Sequence, residues 1–327
     1  MHVIPFFPQA DKKLLLTAIQ KGQSFEMLSS SECIPWMTVG LAESVATVTL
    51  NLCTIIVFIR NRNLRKRSTY LVINLAVLDM FVGVIIVYFL FYRIGVLCNL
   101  WKGRLIEIGA FEIFIQTLGS SFLIASLTNI TIIALERVHA TFCPLRHRVL
   151  RKWVYQLIIA VVWVIYGLLA IHNFLARFKE THYGISVFRT LVFSYLIFPL
   201  IICISCTSIV IKVRCGAQPQ HHGAASRERK LTMTLLIVTV VSLLLCLPKF
   251  IWLVAVYFRK YEILLSLSLS VGFHLNAALV FLLYANSLVN PVLYAIRMPE
   301  YRSAVLALFR RRPQQQREVV VLPLREM

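Results

Sequence analysis

The sequence is short of charge. Of its 327 residues only 15% are Asp, Glu, Lys or Arg, and 59% are hydrophobic. A water-soluble domain carries about 25% charged residues, so composition points to the bilayer before any motif is read. Acids are scarcest: 14 Asp and Glu stand against 34 Lys and Arg, a formal net charge of +20. That excess does not make a nucleic-acid binder. The basic residues sit between apolar runs and gather into no patch with interleaved aromatics. No His-Glu-x-x-His or Gly-x-Ser-x-Gly pattern occurs, so no enzyme is expected. Residues 1–35 lack a sustained apolar core followed by small residues, so no cleavable signal peptide is expected. Residues 1–36 contain no Asn, and the only glycosylation sequon, Asn129-Ile130-Thr131, lies inside an apolar run.

What the chain has instead is long apolar runs. Seven are long enough to cross a membrane, which takes roughly 20 residues: Met37 to Ile59, Tyr70 to Tyr92, Ile108 to Leu135, Trp153 to Phe174, Phe188 to Val213, Leu231 to Phe258 and Ser268 to Ile296. In lipid each backbone polar group must bond within its own segment, so continuous runs of this length mean helices. The expected fold is an all-α membrane protein, a seven-helix transmembrane bundle. After Ile296 come Pro299, Tyr301, Val305, Leu308 and Phe309 at helical spacing, with Arg302 and Arg310 to Arg312 beside them. This reads as a short amphipathic helix on the membrane surface, although ordinary positive-inside charge also accounts for the arginines. The expected organisation is an extracellular segment 1–36, the bundle 37–296, the surface helix 297–312 and a short cytoplasmic tail 313–327. The connections on one side, with the tail, hold 22 Lys and Arg, and the other side holds 11. The basic side is cytoplasmic by the positive-inside rule. The N-terminus is then outside and the C-terminus inside, as expected for a multi-pass plasma-membrane protein.

Polar residues inside the spans carry the most information. With a rise of 1.5 Å per residue, Asn51, Asp79, Ser126, Asn286, Ser287 and Asn290 all lie roughly 10 to 16 Å from the basic edge. Four helices therefore bring oxygen-bearing side chains to one level. A charged Asp there costs about 3 kcal/mol even on a lenient scale and needs partners. Either this is a satisfied network that holds helices together, or it is a hydrated pocket for a small hard cation, which takes oxygen ligands. Sodium is the abundant candidate.

These residues resemble the rhodopsin-like G-protein-coupled receptor family, from span 1 to the helix after span 7. Asn51 stands alone in span 1. Span 2 has Asn74-Leu75-Ala76-Val77-Leu78-Asp79, span 3 ends in Glu136-Arg137-Val138, span 4 has Trp163 and span 5 has Pro199. Span 6 has Pro248 with Glu228 twenty residues earlier, and span 7 has Asn290-Pro291-Val292-Leu293-Tyr294. Each is weak alone; in order, one set per span, they are specific. The resemblance implies a receptor for an extracellular ligand that activates a heterotrimeric G protein at its cytoplasmic face. It implies that Arg137 pairs with Glu136 and Glu228 at rest, that Pro248 and Pro291 are kinks, and that Tyr294 swings inward on activation. It also implies an allosteric sodium site of Asp79, Ser126, Asn286, Ser287 and Asn290, and a ligand pocket that includes Gly119, Ser120, Leu123, Cys246, Lys249 and Tyr284. No other cofactor is expected.

The chain departs from the family pattern in several places. Glu112 stands where span 3 usually has its disulfide Cys, and the second outer loop, about Asn173 to Arg189, has none. The two cysteines left on the outer side, Cys33 and Cys98, are expected to pair with each other in that oxidising compartment. Cys246 replaces the span-6 Trp, Thr207 the span-5 Tyr and Val138 the Tyr after Arg137. Gly119 stands where amine receptors carry Asp, and Tyr284 where opsins carry the retinal Lys, so neither an amine nor retinal is expected as ligand. Lys249 either pairs with Glu112 or Glu43, reaches water, or awaits an acidic group on a ligand. No Ser or Thr follows Ser303, so weak arrestin recruitment is expected; a strong ligand-driven arrestin signal after Ser226→Ala would contradict it. The competing readings are a receptor-like protein that no longer couples, and an ion transporter using Asp79, Glu43 and Lys249. No internal repeat supports the transporter, and an odd span count fits an inverted repeat poorly.

Overall fold

The computed structural model describes residues 29–61, 64, 68–95, 98, 110–178, 183–215, 224–258 and 269–309. Helices dominate: α1 (Ser30–Arg60), α2 (Thr69–Tyr88), α3 (Ala110–Phe142), α4 (Pro144–Val149), α5 (Lys152–Phe178), α6 (Tyr183–Cys215), α7 (Ala224–Phe258), α8 (Leu269–Arg297) and α9 (Pro299–Phe309). Helix α2 runs on through a wider π-helical turn, Phe89–Ile94. No strand occurs among the described residues. Because α4 is a single short turn of helix, spans 4 to 7 are α5 to α8. Among the described residues, six helices are long and apolar enough to cross a membrane, and α6 carries a shorter apolar stretch, Leu196–Lys212.

Helix α3 is the hub, packed against α2, α5, α6 and α7. Helix α8 touches α7, α1 and α2, and closes the bundle. The exposed side of α5 is a stripe of Trp153, Leu157, Val161, Val164, Ile165 and Leu168. Water would not tolerate such a stripe, but hydrocarbon does. Serine, threonine and asparagine are turned inward, the reverse of a soluble protein. The first two helices cross closely at Gly83. A Cβ there would lie 2.9 Å from Val48 Cγ2 and 3.2 Å from Thr47 Cγ2. Ser44 Oγ uses the approach to donate to the Gly83 carbonyl at 2.7 Å. Small residues at helix contacts in lipid allow this.

Asparagines pin the middle of the bundle. Asn74 Nδ2 donates to Asn129 Oδ1 at 3.0 Å, and Asn129 Nδ2 donates to the Leu71 carbonyl at 2.9 Å. Trp163 Nε1 donates to Asn74 Oδ1 at 2.9 Å, which ties α5 to α2. The sequon asparagine is thus spent on packing.

The helix ends differ from the sequence expectation. Helix α1 starts seven residues earlier than Met37, because Ser29 and Glu32 form a capping box that satisfies the first free N–H groups. Helix α3 runs beyond Leu135 to Phe142, and α6 begins at Tyr183 rather than Phe188. The second outer loop is correspondingly shorter than Asn173 to Arg189, since α5 runs to Phe178. In each case hydrophobicity ended before the backbone ladder did. Cys33 and Cys98 are joined by a disulfide, which ties the start of α1 to the end of the second span. Trp36 Nε1 donates to His274 Nδ1 at 2.8 Å, so α8 is held at the same end.

The Gly83 crossing is testable. Gly83→Leu forces a side chain into Val48 and Thr47, and overpacking of this kind costs about 1–3 kcal/mol. Thermal unfolding of the purified protein in detergent should show that loss, whereas Gly167→Leu, where a Cβ meets nothing within 4 Å, should leave stability nearly unchanged.

Candidate functional site

Two buried polar centres lie along the bundle. The first is built on Asp79, which is 0% exposed. Its Oδ1 accepts from Ser126 Oγ of α3 at 2.9 Å and from Ser287 Oγ of α8 at 2.8 Å. Its Oδ2 accepts from Asn290 Nδ2 at 2.7 Å. Asn51 of α1 does not touch the carboxylate. Its Nδ2 donates to the Ser287 carbonyl at 2.9 Å and to the Thr47 carbonyl at 3.0 Å, so it fixes the backbone that carries Ser287. Two oxygens at this level have no hydrogen-bond partner, Asn286 Oδ1 and Asn290 Oδ1. A buried acceptor left without a donor costs free energy. Amide oxygens, hydroxyls and a carboxylate are the ligand types that a hard cation takes.

The second centre surrounds Arg137, whose side chain is 1% exposed. Its Nε donates to Glu136 Oε2 and its Nη2 to Ser68 Oγ at the start of α2. Glu136 Oε1 is the common acceptor. It takes Ser68 Oγ at 2.9 Å and Tyr155 OH of α5 at 3.2 Å, and it lies 2.7 Å from His147 Nε2 of α4. One carboxylate thereby gathers α2, α4 and α5 around the end of α3. Arg137 Nη1 and the Tyr294 hydroxyl are buried without a hydrogen-bond partner. Tyr294 packs edge-on against Phe58, with ring centroids 6.4 Å apart. The Tyr301 hydroxyl shares a 2.7 Å bond with Thr54 Oγ1, so α9 is fastened to α1. Burial raises the Tyr301 phenol above its ordinary pKa, and the Thr54 bond acts the other way. The apolar stripe of α9 thus turns towards the bundle through Tyr301, and residues 310–312 lie outside the described residues. The side chain of Glu228 also lies outside them, so its pairing with Arg137 is not described.

The pocket residues are scattered along α3, α7 and α8. Gly119 packs against α2, and a Cβ there would stand 3.0 Å from Ile85 Cγ2. An acidic side chain at 119 would therefore have to displace Ile85. Ser120 Oγ donates to the Thr117 carbonyl at 3.1 Å. Leu123 touches both apolar clusters, Cys246 is buried, and Tyr284 meets Phe89 edge-on at 6.4 Å. Lys249 Nζ donates to Asn276 Oδ1 of α8 at 2.7 Å. Pairing of Lys249 with Glu43 is not found: both Glu43 carboxyl oxygens are buried without a hydrogen-bond partner. Pairing with Glu112 falls outside the described side chains.

Sequence reasoning missed Ser68, His147, Tyr155 and Asn276. Ser68 and Tyr155 left a faint signal, a hydroxyl at the basic end of an apolar run. His147 left none, because its bond depends on the fold of α4.

Residues 50–294 match the family model described as 7 transmembrane receptor (rhodopsin family). The chain belongs to that family. The histamine H2 receptor of Canis lupus familiaris is 28% identical over 323 residues, covering 89% of this chain and 84% of that receptor. The histamine H2 receptor of Homo sapiens is 28% identical over 315 residues, covering 86% and 81%. That of Rattus norvegicus is 27% identical, covering 85% and 82%. The chain is accordingly a multi-pass membrane receptor of the rhodopsin family, and not an enzyme.

The Glu136 cluster gives the next prediction. Removing one partner of a buried ion pair strands the other charge and costs about 3–5 kcal/mol. Glu136→Gln should lower the thermal stability of the purified receptor by an amount of that order, and Ser68→Ala by less. Equal stability of Glu136→Gln and wild type would show that the Arg137 charge is solvated some other way.

Proposed function

We propose that this rhodopsin-family receptor binds an extracellular ligand and activates a heterotrimeric G protein at its Arg137 end. In this reading the N-terminus is outside, the tail is cytoplasmic, and the membrane is the plasma membrane. The supporting observation is the state of Arg137, held in a buried cluster by Glu136 and Ser68 beside a Tyr294 hydroxyl with no hydrogen-bond partner. A ligand that favours a second arrangement of the bundle would shift the population. Arg137 and Tyr294 would then be freed towards the partner, with Asn290 and Pro291 as the flexible part of α8. Glu228 would complete the resting lock. G-protein activation in cells tests this. Basal or ligand-driven signal should fall to background with Arg137→Ala.

We infer in addition that the Asp79 centre holds sodium through Asp79, Ser126, Asn286, Ser287 and Asn290. The unpartnered oxygens of Asn286 and Asn290 support this, and the ion would steady the resting bundle. Sodium at ten times its Kd should stabilise the purified receptor by about 1.4 kcal/mol relative to choline at equal ionic strength. Asp79→Asn should abolish the difference. A difference that survives Asp79→Asn places the ion elsewhere.

For the ligand, the names of the relatives suggest histamine. Two observations favour an acidic ligand instead. Gly119 offers no counter-ion and is closed by Ile85. Lys249 lies on the same helical face as Cys246, one turn on. The two candidates separate in one experiment: a response to histamine that ignores Lys249→Ala favours the amine, and a response to an acidic lipid or peptide that fails in Lys249→Ala favours the acid. A second functional reading, a receptor that no longer couples, draws on Cys246, which is small and buried where the family has Trp. Silence of wild type across that screen would favour it.

A further inference from the structure

At the end of the bundle away from Arg137, α1 and α8 are joined through one imidazole. Trp36 Nε1 of α1 donates to His274 Nδ1 of α8 at 2.8 Å. On the other side of the ring, His274 Nε2 lies 3.6 Å from Glu32 Oε1. Glu32 is itself fixed: its Oε2 accepts from the Ser29 backbone N–H at 2.9 Å, and its Oε1 accepts from Ser270 Oγ. The His274 and Glu32 side chains are 40% and 31% exposed, so water and protons reach them. Beside Glu32, the buried Cys33–Cys98 disulfide holds this end of α1 in place.

We propose that His274 is a proton switch: a proton taken from the medium releases Trp36 and passes the imidazole to Glu32, so that acidity regulates the contact between α1 and α8. The chemistry of the two partners carries this. An indole N–H can only donate, so His274 Nδ1 holds a lone pair and the proton of the neutral ring is on Nε2, the nitrogen nearer Glu32. A proton bound at Nδ1 turns that nitrogen into a donor. The Trp36 bond then cannot be made, while the imidazolium gains the Glu32 carboxylate as counter-charge. Histidine is the side chain whose charge ordinarily changes between pH 5 and 8. Among the described residues, Glu32 is the only acid within ion-pair distance of His274. Glu43 lies about 16 Å further along α1. On α7, Lys249 is engaged by Asn276, two residues along α8. Helix α2 and its wider turn bring apolar Ile86, Leu90 and Ile94 to this end. What the proton releases is the top of a stack. The Trp36 ring lies on Phe281, with centroids 5.6 Å apart and planes within 7°. Phe281 in turn fills the space at Gly40, where a Cβ would lie 2.5 Å from Phe281 Cε1 and 2.6 Å from Leu90 Cδ2. Trp36 therefore anchors a contact that joins α1, α2 and α8, and α8 carries Tyr284, Ser287 and Asn290 deeper in the bundle. Only the compartment whose acidity is read rests on the orientation proposed above; the switch itself does not.

The probe is the proton itself. The full chain, labelled with nitrogen-15 at tryptophan, is purified in detergent micelles, where both faces meet the buffer and neither orientation nor G-protein coupling enters the result. The Trp36 indole signal is assigned by its loss in Trp36→Phe, which keeps an aromatic ring on Phe281. It is then followed by NMR from about pH 7.5 to about pH 5.5. In wild type the signal should move along a single-site titration, and the fraction of Trp36 bonded to His274 should fall about tenfold across two pH units centred on the midpoint. His274→Asn offers an amide oxygen that accepts but does not titrate in this range, so its Trp36 signal should stay at the high-pH position throughout. Glu32→Gln keeps the capping box but removes the counter-charge, so its midpoint should move to lower pH. A wild-type signal that ignores pH overturns the proposal. A signal that moves equally in His274→Asn overturns it as well and assigns the titration to another group. A midpoint unchanged in Glu32→Gln would overturn the exchange of partners. Should His274→Asn fail to fold, wild type and Glu32→Gln still decide.

Discussion

Every other feature of this receptor depends on one constraint: a buried polar group in hydrocarbon must find its partner inside the protein. Asp79 meets it through three donors from two helices. Those bonds set the rotation of α3 and α8, since Ser126, Ser287 and Asn290 must all face α2. Once they do, Asn74, Asn129 and Trp163 fall into a second network one layer away. The apolar residues need no such placement, because lipid accepts them on either side. Polarity therefore does in this bundle what hydrophobicity does in a soluble core, and it selects one packing from many.

The same constraint explains the Arg137 cluster. Arg137 lies at the end of α3 nearest water, yet its side chain is almost wholly buried. A guanidinium carries five donors in a fixed fork. Glu136 and Ser68 take two of them, and Nη1 remains over. The cluster is thus stable without being complete. Glu136 is the more fully satisfied partner, with Ser68, His147 and Tyr155 around it. A rearrangement that frees Arg137 would leave Glu136 its hydrogen bonds to Ser68 and Tyr155.

The sequence disclosed these centres unevenly, and for physical reasons. Helix number, the family and the depth of Asp79 were legible because each is written in one dimension. The capping box of Ser29 and Glu32 was legible too, but the apolar run drew attention to Met37 instead. Partners that arrive from another helix with no polar signature were not legible. His147 reaches Glu136 only because α4 packs against α3, and Asn276 meets Lys249 only because α7 and α8 pack together. Glu43 and Lys249 illustrate the limit. Both look like natural ion-pair partners by depth, yet they lie on helices that do not bring them together, and each answers to its own surroundings.

The two ends of the bundle are held by contacts of different kinds. At the level of Asp79 and Arg137 the residues are held by mutual hydrogen bonds, so a change at one position strands another. Among the residues suggested for a ligand pocket, Gly119 is closed by a methyl of Ile85, and Lys249 Nζ donates to the Asn276 amide oxygen. Contacts of that kind tolerate substitution, because repacking an aliphatic neighbour or losing one hydrogen bond costs about 1 kcal/mol. A change at Gly119 or Lys249 can therefore leave the Asp79 and Arg137 networks intact.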